Sequence, residues 1–375
     1  MVKRQKIIVR LIIIFILFTS IFAASTIARP TFVQAQQIEK VNNYQVYLPL
    51  ILNNYSQSYA SNDKFIGIYM QVYWDNSTIQ NMASADNLAG KKHSVSAYFM
   101  DIADQNMSYN LTTQLETLWQ SGYISFININ TTQSAYDIAS GKYDASIRNM
   151  ARVYAGWVNT GGGRRAFLAP LPEMNGVNSD NNPWASYGGD PANFKLAYQR
   201  IQTIFVQEGV TSDEVWWVFA PNGWSIDGHE FEKYYPGDGL VDVIAFSSYN
   251  YGYCHVAIPW QRWENYDTLY EPYLARLLTM APNKPVIIGQ TGTTAQYQST
   301  NEYNVDAKNN WLKLNYQYLS QQPQLLGVLY YDFDQSSWEC NWRILPGSTF
   351  TGYKDGASAA TFKYISSSNM QNIIP

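Results

Sequence analysis

Glu173 lies one residue past Pro172, at the end of the apolar run RAFLAPL (165–171). A carboxyl carried out of such a run has a rigid support and poorly solvated neighbours, which suits a proton donor. The other reading of Glu173 is a helix cap or an ion-pair partner. Gln290 is the first side chain past a second apolar run, KPVIIG (284–289), where the sequence reads as a strand breaking into a polar loop. A third run, LLGVLYY (325–331), leads into DFDQSSWECNW (332–342), which brings Asp332, Asp334 and Glu339. Two carboxyl groups are the usual equipment for breaking a glycosidic bond. One protonates the leaving oxygen; the other attacks the anomeric carbon from roughly 5–5.5 Å, or takes a proton from water when the two are roughly 6.5–9.5 Å apart. Gln290 cannot serve as the second of these. For Asp332 and Asp334 the competing reading is loop capping and turn formation.

The composition suits a flat, hydroxyl-rich ligand. Only 14% of the residues are charged, yet there are 30 Tyr and 12 Trp. Ring faces cover C–H surface while amides bind hydroxyls. Trp184, Trp224, Trp260, Trp263, Trp338 and Trp342 are candidate platforms, and Asn175, Asn222 and Asn250 are candidate amides. Packing in a large core is the alternative for each ring taken singly. His93, His229 and His255 have no metal-ligand spacing, so no metal is expected. No GxGxxG follows the first strand, and TGGGRR (160–165) precedes a strand, so neither a dinucleotide nor any other cofactor is expected.

These residues need a scaffold. Eight β-rich runs recur from residue 64: KFIGIYM (64–70), HSVSAYFM (93–100), YISFINI (123–129), RAFLAPL (165–171), EVWWVFA (214–220), VDVIAF (241–246), KPVIIG (284–289) and LLGVLYY (325–331). Amphipathic stretches such as 191–209 and 268–282 separate them. Strands apolar on both faces and alternating with helices predict an α/β fold, a single (β/α)8 TIM barrel over 64–350, with its chemistry at the C-terminal ends of the strands. Residues 36–63 read as a linker or short N-terminal segment, and 351–375 as a C-terminal extension.

Residues 1–35 read as a signal peptide: Lys3, Arg4, Lys6 and Arg10, then an apolar stretch from Leu11 to Ala24, then VQA ending at Ala35. The alternative is an uncleaved membrane anchor. Cleavage would remove five positive charges and no negative one, taking the formal net charge from −4 to −9. A secreted, acidic domain repels phosphate backbones, which argues against nucleic acid as a partner. In an exported chain Cys254 and Cys340 are expected to pair. The chain-entropy model gives roughly 4–5 kcal/mol for a loop of that length.

The ordered set RAFLAPLPEMNG, WASYGG, VWWVFAPNGW, YYPGDGLVDVIAFSSYNYG, KPVIIGQTG and NWRI, spread over residues 64–345, resembles glycoside hydrolase family 26. That family is built around β-mannanases of the large retaining (β/α)8 clan. The resemblance implies Glu173 as acid/base, Tyr249 beside the nucleophile, and a nucleophilic Glu at the position of Gln290. It also implies His where this chain has Pro172. A β-1,4-mannan or related polysaccharide is the implied partner, bound by a monomer. Three readings of Gln290 follow. Another acid, Asp332, Asp334 or Glu339, replaces the nucleophile, steadied by a Cys254–Cys340 bridge; the groove holds glycan without cutting it; or the amide serves an inverting reaction. A purely structural envelope protein would need none of these motifs.

Overall fold

The computed structural model describes residues 62–70, 77–176, 188–225, 227–254, 262–337, 339–345 and 349–374. The expected leader, most of the linker, and Trp184, Trp260 and Trp338 lie outside them. All eight runs become strands: β1 (Phe65–Tyr69), β2 (Val95–Asp101), β3 (Ile124–Asn130), β4 (Ala166–Pro170), β5 (Val215–Phe219), β6 (Val243–Asn250), β7 (Val286–Thr293) and β8 (Leu325–Tyr331). They pair in sequence order, all parallel, and β8 closes onto β1. The architecture is a (β/α)8 barrel.

Strand alternation builds two cores. Phe65, Val95, Phe126, Phe167, Trp216, Val243, Ile287 and Leu329 fill the barrel. Ile66, Ile68, Leu168, Phe219, Ile244, Ile288 and Tyr330 face the helices. Those helices include α1 (Ser77–Ala89), α2 (Met107–Gln120), α3 (Ala135–Ala139), α4 (Asp144–Val158) and α5 (Pro191–Gln207). Local sequence sets their ends. Asp190 caps α5 by accepting from the Asn193 N–H at 3.1 Å, Pro191 follows it, and Gly209 at φ 92° ends the turn. The stretch expected to be one helix over 268–282 splits into α6 (Tyr266–Leu269) and α7 (Glu271–Met280), with Pro272 in the first turn of the second. The helical set continues with α8 (Val305–Ser320), α9 (Thr351–Ala357) and α10 (Ser367–Gln371).

Two features depart from the sequence expectation. The segment set apart as a C-terminal extension belongs to the barrel. Phe362 forms a parallel bridge with Lys64, and Ile365, Met370 and Ile374 join the interior core at the barrel's N-terminal end. Strands β6 and β7 also run four residues further than their apolar runs, carrying Ser247, Tyr249 and Gln290 inside the ladder.

The register of β6 against β7 skips between Phe246 and Ser247. Phe246 pairs with Ile288, but Ser247 pairs with Gln290, leaving Gly289 as an extra residue. Such a bulge reverses which side chains point inward. A Cβ on Gly289 would lie 2.8 Å from the Ala245 carbonyl oxygen, so only glycine fits. Gly289→Ala is therefore expected to lower the unfolding free energy by about 1–3 kcal/mol, measured by urea denaturation.

Candidate active site

Glu173 stands on a strained turn. After β4, Leu171 adopts φ 55° and Glu173 φ 58°, a region that non-glycine residues occupy at a cost of roughly 1–3 kcal/mol each. Hydrogen bonds hold the turn there. The Glu173 N–H donates to the Ala220 carbonyl at 2.7 Å, and the Gly176 N–H donates to the Glu173 carbonyl at 2.9 Å. Asn175 ties this turn to the loop after β5: its Nδ2 donates to the Asn222 and Trp224 carbonyls and to Ser225 Oγ, and its Oδ1 accepts from the Asn222 N–H. The Glu173 carboxyl accepts from the hydroxyl of Ser247, within β6. Burial pushes its pKa above the ordinary carboxylate value. The Ser247 bond pulls the other way, and the charge of Glu339 adds to the rise. Tyr69, Tyr249 and Tyr331 surround it closely enough for their phenols to feel its charge.

Gln290 is a strand residue, not the loop residue the apolar run suggests. It is buried, and its Oε1 accepts from the Tyr249 hydroxyl at 2.7 Å. Through the bulge it becomes the neighbour of Ser247 across one strand spacing of roughly 5 Å. Glu173 and Gln290 thus approach Ser247 from two sides. Tyr249 couples them: it bonds the amide and feels the carboxyl.

The three acids after β8 have different positions. Asp332 points out of the barrel. It is buried, its Oδ1 accepts from the N–H groups of Ile344 (2.5 Å) and Leu345 (3.1 Å), and burial raises its pKa. Asp334 is exposed; a hydrogen bond from the Ser336 hydroxyl, and then one from the Ser336 N–H at 3.0 Å, lower its pKa. Both are engaged by the backbone of their own loop. Glu339 accepts from the Tyr251 hydroxyl at 2.8 Å. Its neighbour Cys340 is bonded to Cys254, with Cα atoms 5.5 Å apart, so the loops after β6 and β8 are joined. Lys308 of α8 anchors the same loop from below. Its buried Nζ donates to the Trp342 and Arg343 carbonyls, and burial takes its pKa down to about 7.

The candidate sugar-binding residues divide as well. Asn175 and Asn250 are fully buried and their amides are engaged, Asn250 by Thr293 Oγ1 and the Glu264 N–H. They hold loops together, and no ligand surface remains on them. Asn222 is half-buried, and its Oδ1 accepts from the Trp224 N–H. Trp224, in the loop after β5, is 44% exposed. Trp263 is half-buried against Tyr297, and Trp342 is buried between Tyr249 and Tyr251. Ser247, Tyr251, Tyr69, Asn128 and Tyr331 were not singled out from the sequence. Asn128 Nδ2 donates to the Tyr69 hydroxyl at 2.8 Å. Counting inward positions to the end of each strand is the signal that finds them. Among the described residues no cluster of His, Cys, Asp and Glu is arranged to hold a metal ion.

No protein-family model matches the chain. Endoglucanase H of Acetivibrio thermocellus is 32% identical over 160 residues, 41% of this chain, and the match spans only 16% of that longer protein. The GH26 β-mannanase BoMan26A of Bacteroides ovatus superposes with a TM-score of 0.57 at 13% identity, over 81% of this chain and 90% of its own. GH26C from Muricauda sp. gives 0.57 at 13% identity, over 84% and 91%. The YdhT protein of Bacillus subtilis gives 0.53 at 16% identity, over 82% and 88%. At these identities the structural likenesses establish a shared barrel fold.

The raised pKa of Glu173 has a consequence for stability. From about pH 4.5 upward the folded chain retains a proton on this carboxyl that the unfolded chain has released, so stability falls as pH rises through the folded pKa. Glu173→Gln removes that term. The stability gap, variant minus wild type, is expected to widen with pH across this window, measured by urea unfolding at a series of pH values.

Proposed function

We propose that this chain is an exported glycoside hydrolase of β-mannanase type, cutting a β-1,4-linked mannan or a related polysaccharide at the C-terminal mouth of the barrel. Glu173 is the proton donor. The observation that carries this reading is the placement of its carboxyl: on a turn fixed by hydrogen bonds, walled by tyrosines, with its pKa raised by burial. A carboxylic acid kept protonated in that setting delivers its proton to a leaving glycosidic oxygen. The exposed ring of Trp224 offers a face to sugar C–H surface. The shared barrel and the Endoglucanase H segment support the same class of chemistry. The protein works without cofactor or metal, as a monomer.

A second reading has its own support. Gln290 occupies the position that the resemblance assigns to the nucleophile and accepts the Tyr249 hydroxyl there, so the groove is built around an amide. A groove that holds glycan without cutting it fits that fact. Reducing-end release from β-mannans, mixed-linkage and β-1,4-glucans and xylans separates the two. As a hydrolase, the wild type turns over one of these, and Glu173→Ala lowers kcat about 10²- to 10⁴-fold. As a holding groove, the wild type binds without turnover and Gln290→Glu restores cutting.

A further inference from the structure

A hydrolase with Glu173 as its acid still lacks a second carboxylate, and the loop after β8 supplies one. The described residues of this loop are bonded to one another. Asp334 and Asn341 form an antiparallel bridge, the Gln335 N–H donates to the Cys340 carbonyl at 2.9 Å, and the Glu339 N–H donates to the Gln335 carbonyl at 2.6 Å. The Gln335 amide clamps two rings of the mouth, donating to the Tyr331 hydroxyl at 2.9 Å and accepting from Trp342 Nε1 at 3.3 Å. The disulfide to Cys254 then joins this hairpin to the end of β6, three residues past Tyr251. The result places the Glu339 carboxyl on the Tyr251 hydroxyl, while Trp342 packs against Tyr251 (5.1 Å between ring centroids) and Tyr249 (5.0 Å). Glu339, Tyr251, Trp342, Tyr249 and Gln290 thus form one continuous wall, with Glu173 close enough to feel the Glu339 charge. Glu339 is partly exposed.

We propose that Glu339 is the second carboxylate of this site, acting as general base on a water molecule, and that the Cys254–Cys340 disulfide positions it. This rests on the hydrolase reading above. The water oxygen bonds to the anomeric carbon as its proton passes to the Glu339 carboxylate. The bond from that carbon to the glycosidic oxygen breaks, and the leaving oxygen takes the proton of Glu173. The new reducing end carries the inverted anomeric configuration. Glu339 then releases its proton to solvent and Glu173 regains one. The amide at 290 fits this scheme: a third carboxylate beside Glu173 and Glu339 would raise the energy of the charged base through like-charge repulsion.

The test uses the wild type, Glu339→Ala, Glu339→Gln and the double variant Cys254→Ser with Cys340→Ser, on whichever glycan of the panel is cut. Both Glu339 variants are expected to lose about 10²- to 10⁴-fold in kcat, with oligosaccharide affinity by calorimetry within threefold of wild type. Sodium azide, which attacks without giving up a proton, is expected to restore turnover in Glu339→Ala and to yield a glycosyl azide of inverted configuration. The double serine variant is expected to lose kcat while keeping the far-ultraviolet circular dichroism of the fold. Proton NMR of the first wild-type product is expected to show the inverted anomer. A retained anomer, full activity in Glu339→Gln, or no response to azide overturns the proposal and leaves the hydrolase reading standing. A wild type that cuts nothing on the panel overturns the hydrolase reading, and this inference with it.

Discussion

One extra residue in β7 decides what the mouth of this barrel contains. Without the bulge at Gly289, strict alternation would send Gln290 outward with Ile288 and aim Thr291 at Glu173. With it, Gln290 becomes the inward neighbour of Ser247 and receives the Tyr249 hydroxyl. Thr291 turns instead to the helix layer, where it meets the Tyr270 hydroxyl. The close approach of the Ala245 carbonyl enforces the change, because no side chain fits at Gly289. The chemistry of the site thus depends on a backbone constraint three strands away from its acid.

The electrostatics of the mouth follow from what surrounds it. Tyr69, Tyr249, Tyr251 and Tyr331 are large and weakly polar, and each has its own ionisation suppressed by burial. They exclude water from Glu173 and add no charge to offset its own, so the acid prefers its proton. The Ser247 hydrogen bond opposes this in part. A mouth lined with lysine or arginine would hold the same carboxyl ionised and useless as a donor.

The scaffold was legible in the sequence because burial on both faces of a parallel strand leaves uninterrupted apolar runs, and all eight were found. Six of them end within a residue of their strand, but the C-terminal limits of β6 and β7 were missed by four residues. Ser247, Tyr249 and Gln290 are polar strand residues, since strand ends in a barrel mouth face a site rather than a core, and hydropathy ends the strand where the function begins. The amides of Asn175 and Asn250 read as ligand groups by residue type, but three-dimensional closure makes them staples between loops. The segment 351–374 looked like an appendage because its apolar residues are sparse. Three of them, Ile365, Met370 and Ile374, nonetheless complete the barrel interior.

That last arrangement bears on how the chain becomes a folded protein. The floor of the barrel is laid by residues more than thirty positions beyond β8, with Phe362 bridged to Lys64 and the Lys363 N–H bonded to the Lys64 carbonyl at 2.8 Å. A nascent chain that has made all eight strands still presents an open, apolar end until 362–374 emerge. The interior of the barrel is sealed only when chain segments almost three hundred residues apart meet. Completion of the core therefore waits for 362–374, and the eight strands alone do not close it.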